Sequence, residues 1–294
     1  MTHPERIVFA APRITKLEVV QYYESVASAM LVHLKGRLLT VVRCPEGIEQ
    51  ECFFQKHIGV RLPAGARPVE VNSATGLDTY VAVERIEAIA AMAQFGTIEF
   101  HTWGSTVGRL ERPDRLTFDL DPDPDVPWPR LIEAAQLTRG FIAELGLTGF
   151  LKTTGGKGLH VVAPIKPTRD WDTVKAFTQA VALRLEATAP DRFTASMAKA
   201  RRTGKIFIDY LRNARGATAI SAYSLRARDG APVSMPLPWD ALSRKKDVRS
   251  HYFNLRSMSG QLEWSQAAWK DYDRSRATLS AANLRKVGIT TPAA

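Results

Sequence analysis

The sequence predicts an α+β fold, a mixed α/β arrangement in which helices flank central antiparallel or mixed sheets. Helical patterns and strand-like hairpins are mixed along the chain, without the regular strand–helix alternation of a doubly wound sheet. Neither an internal repeat nor a low-complexity linker divides the 294 residues, a length that can bury one large core. We therefore expect a single domain over 1–294, ending in a mainly helical tail over 255–294.

The first third of the chain predicts a helix followed by strands. Residues 15–34 carry apolar side chains at helical spacing, and Thr15 is suited to the N-cap position. Three runs rich in β-branched and aromatic residues predict strands: RLLTVVRC (37–44), ECFFQKH (51–57) and GTIEFHTW (96–103). Between the last two, residues 79–96 contain the start of another strand and a short apolar helix.

The rest of the chain predicts further hairpins separated by helices. LTFDL (116–120) is a strand that should end at Pro122, because proline cannot continue a central ladder. Pro129 suits the start of a helix that stops at Gly146. The remaining runs predict a glycine hairpin, a helix and two stretches of strand: FLKTTGGKGLHVVAPI (150–165), 174–185, KIFIDYL (205–211) and AISAYSLRARDGAPVSMPL (219–237). The last stretch should turn at 229–230.

The charge balance favours a polyanionic partner. Forty Lys and Arg residues stand against 30 Asp and Glu, a net charge of +10, although a basic soluble enzyme could have the same balance. The N-terminus lacks the apolar core of a signal peptide and no apolar run approaches the roughly 18 residues that span a membrane, so we expect a cytoplasmic protein without membrane association. Cys44 and Cys52 form no CxxC pattern, and we expect reduced thiols rather than zinc ligands.

The stretch LTFDLDPDPD (116–125) places four aspartates at alternate positions. In a strand, Asp119 and Asp121 share the face opposite the apolar residues, where two carboxylates about 4 Å apart repel by roughly 4 kcal/mol at an effective dielectric constant near 20. An EF-hand is excluded because its Gly and Glu positions do not match, and Asp123 and Asp125 fit a solvated acidic turn. The DxD pair could bind Mg²⁺ or Mn²⁺, although glycosyltransferases and other proteins use this pattern too.

Asp209, at the end of the strand KIFIDYL, is the best candidate for a third carboxylate. In an isolated strand, such an aspartate is usually a cap or an ion-pair partner. Beside Asp119 and Asp121 it would complete a carboxylate cage for two metal ions roughly 3.5–4 Å apart. Metal ions held in this way activate an attacking hydroxyl and neutralise charge on a leaving phosphate.

The glycine turn TTGGKGLH (153–160) and the cations near it suit a phosphate group. Its glycines let backbone N–H groups approach an anion and Lys157 adds positive charge, although an ordinary hairpin with a solvated lysine would look the same. The spacing does not match a Walker A loop. His160, His101 and Arg226 each lie on an otherwise apolar strand, where a structural histidine is the alternative and a buried cation needs an anion.

Phe53 and Phe54 are adjacent in ECFFQKH, so their rings point to opposite faces of a strand. We expect one ring to lie in the core. The other could stack on a nucleic-acid base, a contact worth about 1–3 kcal/mol.

Together these motifs resemble one family, the polymerase domain of bacterial DNA ligase D in the archaeo-eukaryotic primase superfamily. The resemblance runs nearly end to end and rests on FFQKH, IEFHTW, LERPDR, DLDPDPD, LKTTGGKGLH, GKIFIDYLRNARGA, AYSLRAR and the helical tail. It implies a primase-polymerase fold with the active site in a cleft between the sheets. It also implies a template-directed nucleotidyltransferase of non-homologous end joining that favours ribonucleoside over deoxyribonucleoside triphosphates, prefers Mn²⁺ to Mg²⁺ and recognises a 5′-phosphate at a DNA end or gap.

The resemblance also implies roles for individual residues. The metal-binding carboxylates are Asp119, Asp121 and Asp209. The residues around the incoming nucleotide are Thr154, Lys157, His160, Arg226 and His101, with Phe53 and Phe54 at the base or template. Lys16 matches a lysine on the 5′-phosphate of the downstream strand, and Arg6 assists it. Thr154 stands where the family has serine, and Arg6 where it commonly has lysine, which keeps the hydroxyl and the charge respectively.

Our hypothesis from the sequence is two-metal phosphoryl transfer at these carboxylates. A metal-dependent nuclease could use the same carboxylates, and a non-catalytic module that binds DNA ends would need only the basic surface. The resemblance further implies a bacterial, nucleoid-associated protein that is monomeric in solution and works with Ku and with a ligase or ligase domain. The 294 residues contain no ligase or nuclease motif of their own.

Overall fold

The structure is a computed structural model and describes residues 1–57, 62–73, 76–244, 252–258 and 260–290. Its strands in chain order are β1 (Ile7–Phe9), β2 (Ile14–Thr15), β3 (Leu38–Arg43), β4 (Phe53–Gln55), β5 (Ala66–Ser73), β6 (Gly76–Val83), β7 (Thr97–Trp103), β8 (Arg115–Pro122), β9 (Phe150–Thr153), β10 (Leu159–Pro164), β11 (Phe193–Thr194), β12 (Ile206–Asp209), β13 (Thr218–Ile220) and β14 (Pro236–Leu237). Its helices are α1 (Lys16–Leu34), α2 (Ile86–Gln94), α3 (Trp128–Glu144), α4 (Trp171–Thr188), α5 (Ala241–Arg244), α6 (Leu262–Ala268) and α7 (Ala281–Lys286).

Two large sheets form the centre of the molecule. The first, which we call the carboxylate sheet, has six strands in the order β11-β12-β8-β10-β9-β14. The second, which we call the aromatic sheet, has the order β13-β7-β3-β6-β5, with β4 paired to β3. Of these pairs only β11 with β12 is parallel, and the others run antiparallel. The predicted α+β class with antiparallel and mixed sheets is therefore confirmed.

Helices cover these sheets with their apolar faces. Helix α1 packs on α2 and contacts β6, whereas α3 packs on β8 and β10 and α4 on β8 and β11 of the carboxylate sheet. Thr15 caps α1 through a capping box, in which its hydroxyl accepts from Glu18 N and the Glu18 carboxylate accepts from Thr15 N. The N-cap predicted from the sequence is thus the observed one.

Strand β8 has the alternation that the sequence predicts. Leu116, Phe118 and Leu120 are fully buried, while Asp119 and Asp121 are only partly covered. The burial of the apolar side chains fixes the register of the strand, since a shift by one residue would put the aspartates into the core. The strand ends at Pro122.

The predicted hairpin over 219–237 is wrong as continuous strand. Only β13 and β14 are strands, and between them Leu225 and Val233 form a single antiparallel bridge. The reason is topological, because β13 belongs to the aromatic sheet and β14 to the carboxylate sheet. This segment therefore crosses from one sheet to the other, and Tyr223 adopts a positive φ of 66° on the way.

The expectation of reduced thiols is also wrong, because Cys44 and Cys52 form a disulfide. Cys44 follows β3 and Cys52 precedes β4, and these two strands pair antiparallel. The turn between the strands thus brings the two Cα atoms within 4.4 Å, a separation that a disulfide can bridge. Spacing in the sequence gave no sign of this, because it contains no information on the pairing of the flanking strands.

Two short helices, α6 and α7, lie in the region for which a mainly helical tail is predicted, and turns connect them. Position 259 and positions 291–294 of this region lie outside the described residues. Within the described part of the chain, no helix has the length and apolar character that crossing a bilayer requires.

Candidate active site

A cavity of about 250 Å³ lies between the two sheets. The carboxylate sheet and its glycine turn contribute Asp119, Asp121, Thr154, Gly156, Lys157, Gly158 and His160. The aromatic sheet and the two segments that follow β12 and β13 contribute His101, Arg212, Thr218, Ala219, Ile220, Arg226 and Arg228. The walls are mostly polar and carry six charged side chains, so the cavity suits a charged ligand.

The carboxylates from two distant segments converge at this cleft, where Asp119 and Asp121 line the cavity and Asp209 lies beside Asp119 without lining it. Asp209 on β12 is the antiparallel register partner of Asp119 on β8, and His160 on β10 is the partner of Asp119 on the other side. Lys152 on β9 continues the row as the partner of His160. Direct partners on neighbouring strands lie on the same face, so four ionisable side chains form one row across the sheet.

Arg212 neutralises the two paired aspartates. Its Nε lies 3.2 Å from Asp119 Oδ2 and 3.2 Å from Asp209 Oδ2. Burial would raise the pKa of Asp119, but the adjacent His160 and Arg212 outweigh burial and hold that pKa well below its ordinary value. For Asp209 burial is the larger effect and raises the pKa, although Arg212 opposes it. The pair therefore shares one bridging cation rather than repelling freely.

The donor chemistry of this cluster fits a hard divalent cation, because carboxylate oxygens are the ligands that Mg²⁺ and Mn²⁺ prefer. As the described side chains stand, however, no three His, Cys, Asp or Glu residues are grouped closely enough to hold a metal ion. Arg212 bridges Asp119 and Asp209, and Lys157 Nζ lies 3.5 Å from Asp121 Oδ1. A metal ion bound by these carboxylates would therefore replace positive charge that the protein itself supplies.

The glycine turn between β9 and β10 lines the same side of the cleft as the carboxylates, because β10 pairs with β8. The hydroxyl of Thr154 accepts from Gly156 N at 3.1 Å and donates to Gly158 O at 3.0 Å, so it shapes the turn. Gly155 has a φ of 69°, and a Cβ there would lie 2.7 Å from Arg226 Cγ. A Cβ at Gly158 would lie 2.6 Å from Leu120 O. Glycine is thus required for this close packing as well as for approach to an anion.

His160 is a buried, neutral histidine. Its Nε2 lies 3.3 Å from Asp119 Oδ1, and the residue is 2% exposed. Burial and the charge on Lys152 lower the pKa of His160 to about 4, although Asp119 acts in the opposite direction. Lys152 is itself buried with its ammonium donating to Ser234 Oγ at 2.6 Å.

On the other side of the cleft, Glu99 binds both His101 and Arg226. Its Oε2 lies 2.8 Å from His101 Nε2, and its Oε1 accepts from Arg226 Nε at 3.1 Å. Burial lowers the pKa of His101 below its ordinary value, although Glu99 opposes this shift. His101 and Arg226, which the sequence singled out separately, are therefore joined through one carboxylate.

The expectation that one ring of the Phe53–Phe54 pair lies in the core is wrong. Phe53 is 40% exposed and Phe54 is 53% exposed. Strand β4 has three residues and, within the described ranges, pairs only with β3, and both of its phenylalanines are exposed there. Arg43 lies over the Phe53 ring at 5.5 Å, and the Phe54 ring meets His101 edge-on at 5.6 Å. Phe54 therefore lies beside the cleft through its contact with His101, whereas Phe53 lies on the other face of β4.

Arg6 and Lys16 lie close together but do not line the cavity. Arg6 Nη1 donates to Pro45 O at 2.7 Å and to Glu46 Oε1 at 2.6 Å, while Lys16 Nζ donates to Thr2 O at 2.9 Å. Burial and the neighbouring charge of Arg6 lower the pKa of Lys16. The structure thus brings the two residues predicted for the 5′-phosphate to one place.

Three cavity residues or their partners were missed from the sequence: Arg212, Arg228 and Glu99. Arg212 follows Asp209 by three residues, a spacing that could have suggested an ion pair. Arg228 follows Arg226 by two, in the same AYSLRAR stretch that drew attention to Arg226. Glu99 precedes His101 by two on a strand, so the shared face was visible but the third partner was not.

The chain has two mostly antiparallel sheets around a cleft that is lined by carboxylates and basic side chains. This arrangement defines the class of the primase-polymerases. Over residues 15–269 the chain matches the family described as LigD, primase-polymerase domain. The chain therefore belongs to this family, which is a family of nucleotidyltransferase-type enzymes. The family resemblance expected from the sequence motifs is confirmed.

Relatives and a solved structure agree with this membership. The chain is 40% identical over 290 residues to the multifunctional non-homologous end joining protein LigD of Pseudomonas aeruginosa, which covers 98% of this chain and 34% of the relative. It is 34% identical over 245 residues to the protein of the same name from Mycolicibacterium smegmatis, covering 83% of this chain and 32% of the relative. The chain thus spans about a third of the length of these curated relatives.

The fold has a counterpart among solved structures. The polymerase domain from Mycobacterium tuberculosis ligase D in complex with DNA superposes with a TM-score of 0.87 at 28% identity. The match covers 94% of this chain and 98% of that chain. The predicted primase-polymerase fold is thereby confirmed.

Proposed function

We propose that this domain is a template-directed polymerase that adds nucleotides to a primer 3′ end at DNA ends and gaps during non-homologous end joining. Ribonucleoside triphosphates are its preferred substrates and deoxyribonucleoside triphosphates its secondary ones. One observation carries this proposal: Asp119 and Asp209 are register partners on adjacent strands, with Asp121 nearby on β8 and the glycine turn beside them. Carboxylates next to a glycine turn that carries a lysine suit a metal-bound triphosphate.

In this proposal, Asp119, Asp121 and Asp209 hold Mn²⁺ or Mg²⁺ as a two-metal site. Metal ions held there would make the primer 3′-hydroxyl easier to deprotonate and would neutralise charge on the leaving pyrophosphate. Arg212 gives up its carboxylate bridge and becomes available to phosphate oxygens, which a guanidinium matches in geometry. Lys157, His160 and Arg226 clamp the triphosphate, and Thr154 keeps the glycine turn in the shape that receives it.

Primer extension tests the proposal directly. A labelled primer–template with a gap and a downstream 5′-phosphate is incubated with Mn²⁺ and either ribonucleoside or deoxyribonucleoside triphosphates. Asp119→Asn removes a carboxylate charge, and we expect it to reduce extension at least 100-fold while DNA binding persists, because phosphate contacts are spread over the basic surface. Asp125→Asn is the matched control, since Asp125 is exposed in the turn after β8 and should extend normally.

The same assay separates the rival functions. Shortening of the primer would indicate the metal-dependent nuclease, and binding without any change of length would indicate an end-binding module. Extension by Asp119→Asn at the wild-type rate would contradict the assignment of the carboxylates.

We further propose that Arg6 and Lys16 bind the 5′-phosphate of the downstream strand. Glu46 accepts from Arg6 at 2.6 Å in the same way as a phosphate oxygen would, which shows that Arg6 can reach an anion at this position. A ligase domain or ligase and Ku as partners, and a monomeric state in solution, belong to this proposal as well.

A further inference from the structure

Glu99 is a buried carboxylate whose two oxygens are both in use. It lies on β7 two residues before His101, and its side chain is 7% exposed. Oε2 accepts from His101 Nε2 at 2.8 Å, while Oε1 accepts from Arg226 Nε at 3.1 Å and from Ala227 N at 2.9 Å. One side chain of the aromatic sheet thus holds a histidine on its own strand and the segment that crosses to the other sheet.

The electrostatics keep this carboxylate charged. Burial would raise the pKa of Glu99, but the hydrogen bond from His101 and the charge on Arg226 outweigh burial and hold that pKa below its ordinary value. A buried carboxylate is tolerated only when donors compensate for lost water, and here three donors do so. Because a carboxylate can only accept, it also fixes the proton of His101 on Nε2.

Arg226 is held from two sides by these contacts. Glu99 takes its Nε, which leaves the two terminal guanidinium nitrogens as further donors, and Arg226 lines the cavity. On the other side, the aliphatic part of Arg226 packs against Gly155. A Cβ added to Gly155 would lie only 2.7 Å from Arg226 Cγ, so the glycine turn confines this side chain. The His101 ring is confined as well, because it meets Phe54 edge-on at 5.6 Å.

We propose that Glu99 is a positioning residue, which sets His101 and Arg226 at the spacing that receives the triphosphate of the incoming nucleotide. This inference rests on the proposed function. Two groups from separate parts of the chain can act on one ligand without a loss of side-chain entropy only if they are fixed in advance. Glu99 supplies that fixation for one imidazole and one guanidinium.

The test compares Glu99→Ala and Glu99→Gln with wild type. Three quantities are measured: the affinity for Mn²⁺–ATP, the affinity for gapped DNA and the thermal midpoint. We expect Glu99→Ala to weaken nucleotide affinity about tenfold or more, as the loss of charge-assisted hydrogen bonds predicts, and to leave DNA affinity unchanged. Glu99→Gln keeps the shape and one acceptor oxygen, so it should recover part of the nucleotide affinity.

Glu111→Gln is the matched control. Glu111 is an exposed carboxylate that accepts from Arg215 Nη2 at 2.7 Å, so its substitution breaks the same kind of ion pair, and it does not line the cavity. It should retain wild-type affinity for the nucleotide.

Two results would overturn the inference. Wild-type nucleotide affinity in Glu99→Ala would show that His101 and Arg226 need no positioning. An equal loss of nucleotide and DNA affinity, together with a lowered thermal midpoint, would show a general structural role. A wild-type protein that binds Mn²⁺–ATP but does not extend a primer would contradict the proposed polymerase function alone, and the affinity comparison would still decide the role of Glu99.

Discussion

At the scale of single residues, the buried histidines set the response of the fold to acid. His33 on α1 packs edge-on against Trp269, with 5.3 Å between ring centroids. Burial, supported by the positive charges of Arg115, Arg37 and Lys152, lowers the pKa of His33 to about 3. The folded protein therefore resists protonation of this ring, whereas the unfolded chain accepts the proton near pH 6.5.

The free energy of unfolding should accordingly decrease as the pH falls through the window between about 6.5 and 3, because the unfolded state binds more protons there. For His33 alone the decrease between pH 7 and pH 5 should be about 2 kcal/mol. Urea unfolding at the two pH values measures it. Between pH 7 and pH 5, the free energy of unfolding of His33→Phe should decrease by about 2 kcal/mol less than that of wild type. His3→Gln changes an exposed histidine and should show the wild-type decrease.

Strand periodicity and strand pairing explain which residues of the site could be predicted from the sequence. Asp119 and Asp121 share a strand face by the period of two, so the sequence is enough to put them together. Asp209 was a candidate from its own segment, but that it joins them depends on the pairing of β12 with β8, which neither segment shows by itself. The spacing of Arg212 from Asp209 and of Glu99 from His101 was visible in the sequence, whereas the contacts of Arg212 with Asp119 and of Glu99 with Arg226 join distant segments.

At the scale of elements, helix α1 begins with a capping interaction that should matter for stability. Thr15 and Glu18 satisfy each other's backbone N–H groups at the start of the helix. Thr15→Ala should lower the free energy of unfolding by about 1 kcal/mol, because one orphan donor at the helix start loses its acceptor. Chemical denaturation measures the change.

Thr203→Ala is the control for this substitution, since Thr203 lies exposed in the turn before β12. It should leave the unfolding midpoint unchanged. A stability equal to wild type in Thr15→Ala would mean that tertiary packing alone fixes the start of α1.

The elements that were predicted wrongly from the sequence are those whose structure depends on neighbouring strands or sheets. Strand β4 was predicted correctly, but the burial of one of its phenylalanine rings was not. Its three residues lie at the margin of the sheet, where both rings are exposed among the described residues. The disulfide between Cys44 and Cys52 follows from the pairing of β3 with β4 rather than from cysteine spacing. Likewise the segment after β13 is irregular because it changes sheets.

At the scale of the whole molecule, the net charge of +10 predicts salt-dependent binding to DNA. The logarithm of the association constant should fall linearly with the logarithm of salt concentration, with a slope set by the number of phosphates neutralised. Lys16→Ala should reduce that slope by about 1 on gapped DNA with a 5′-phosphate. Fluorescence titration over a salt series measures the slope.

Lys286→Ala is the control here, because Lys286 lies on α7 and donates to Glu144 O at the end of α3. The salt dependence of DNA binding by Lys286→Ala should have the same slope as that of wild type. An unchanged slope in Lys16→Ala would separate Lys16 from the DNA interface.

The fold class was predictable because helix and strand periods can be read along the chain, and the family resemblance implied the primase-polymerase fold, whereas the order of the strands in each sheet was not predicted. What remained beyond the sequence was the charge pairing inside the cleft. Arg212 meets two aspartates and Lys157 meets Asp121 through strand pairing within the carboxylate sheet, and Arg226 meets Glu99 of the aromatic sheet.

The ion pairs of Arg212 and Lys157 with the aspartates affect how charged ligands enter the cleft. A triphosphate entering by itself would draw Arg212 and Lys157 away from the aspartates and leave those carboxylates facing one another. A divalent cation entering by itself would release the same two basic groups without an anion to receive them. If the proposed function holds, the cleft is therefore better suited to receive the cation and the nucleotide together than to receive either ion alone.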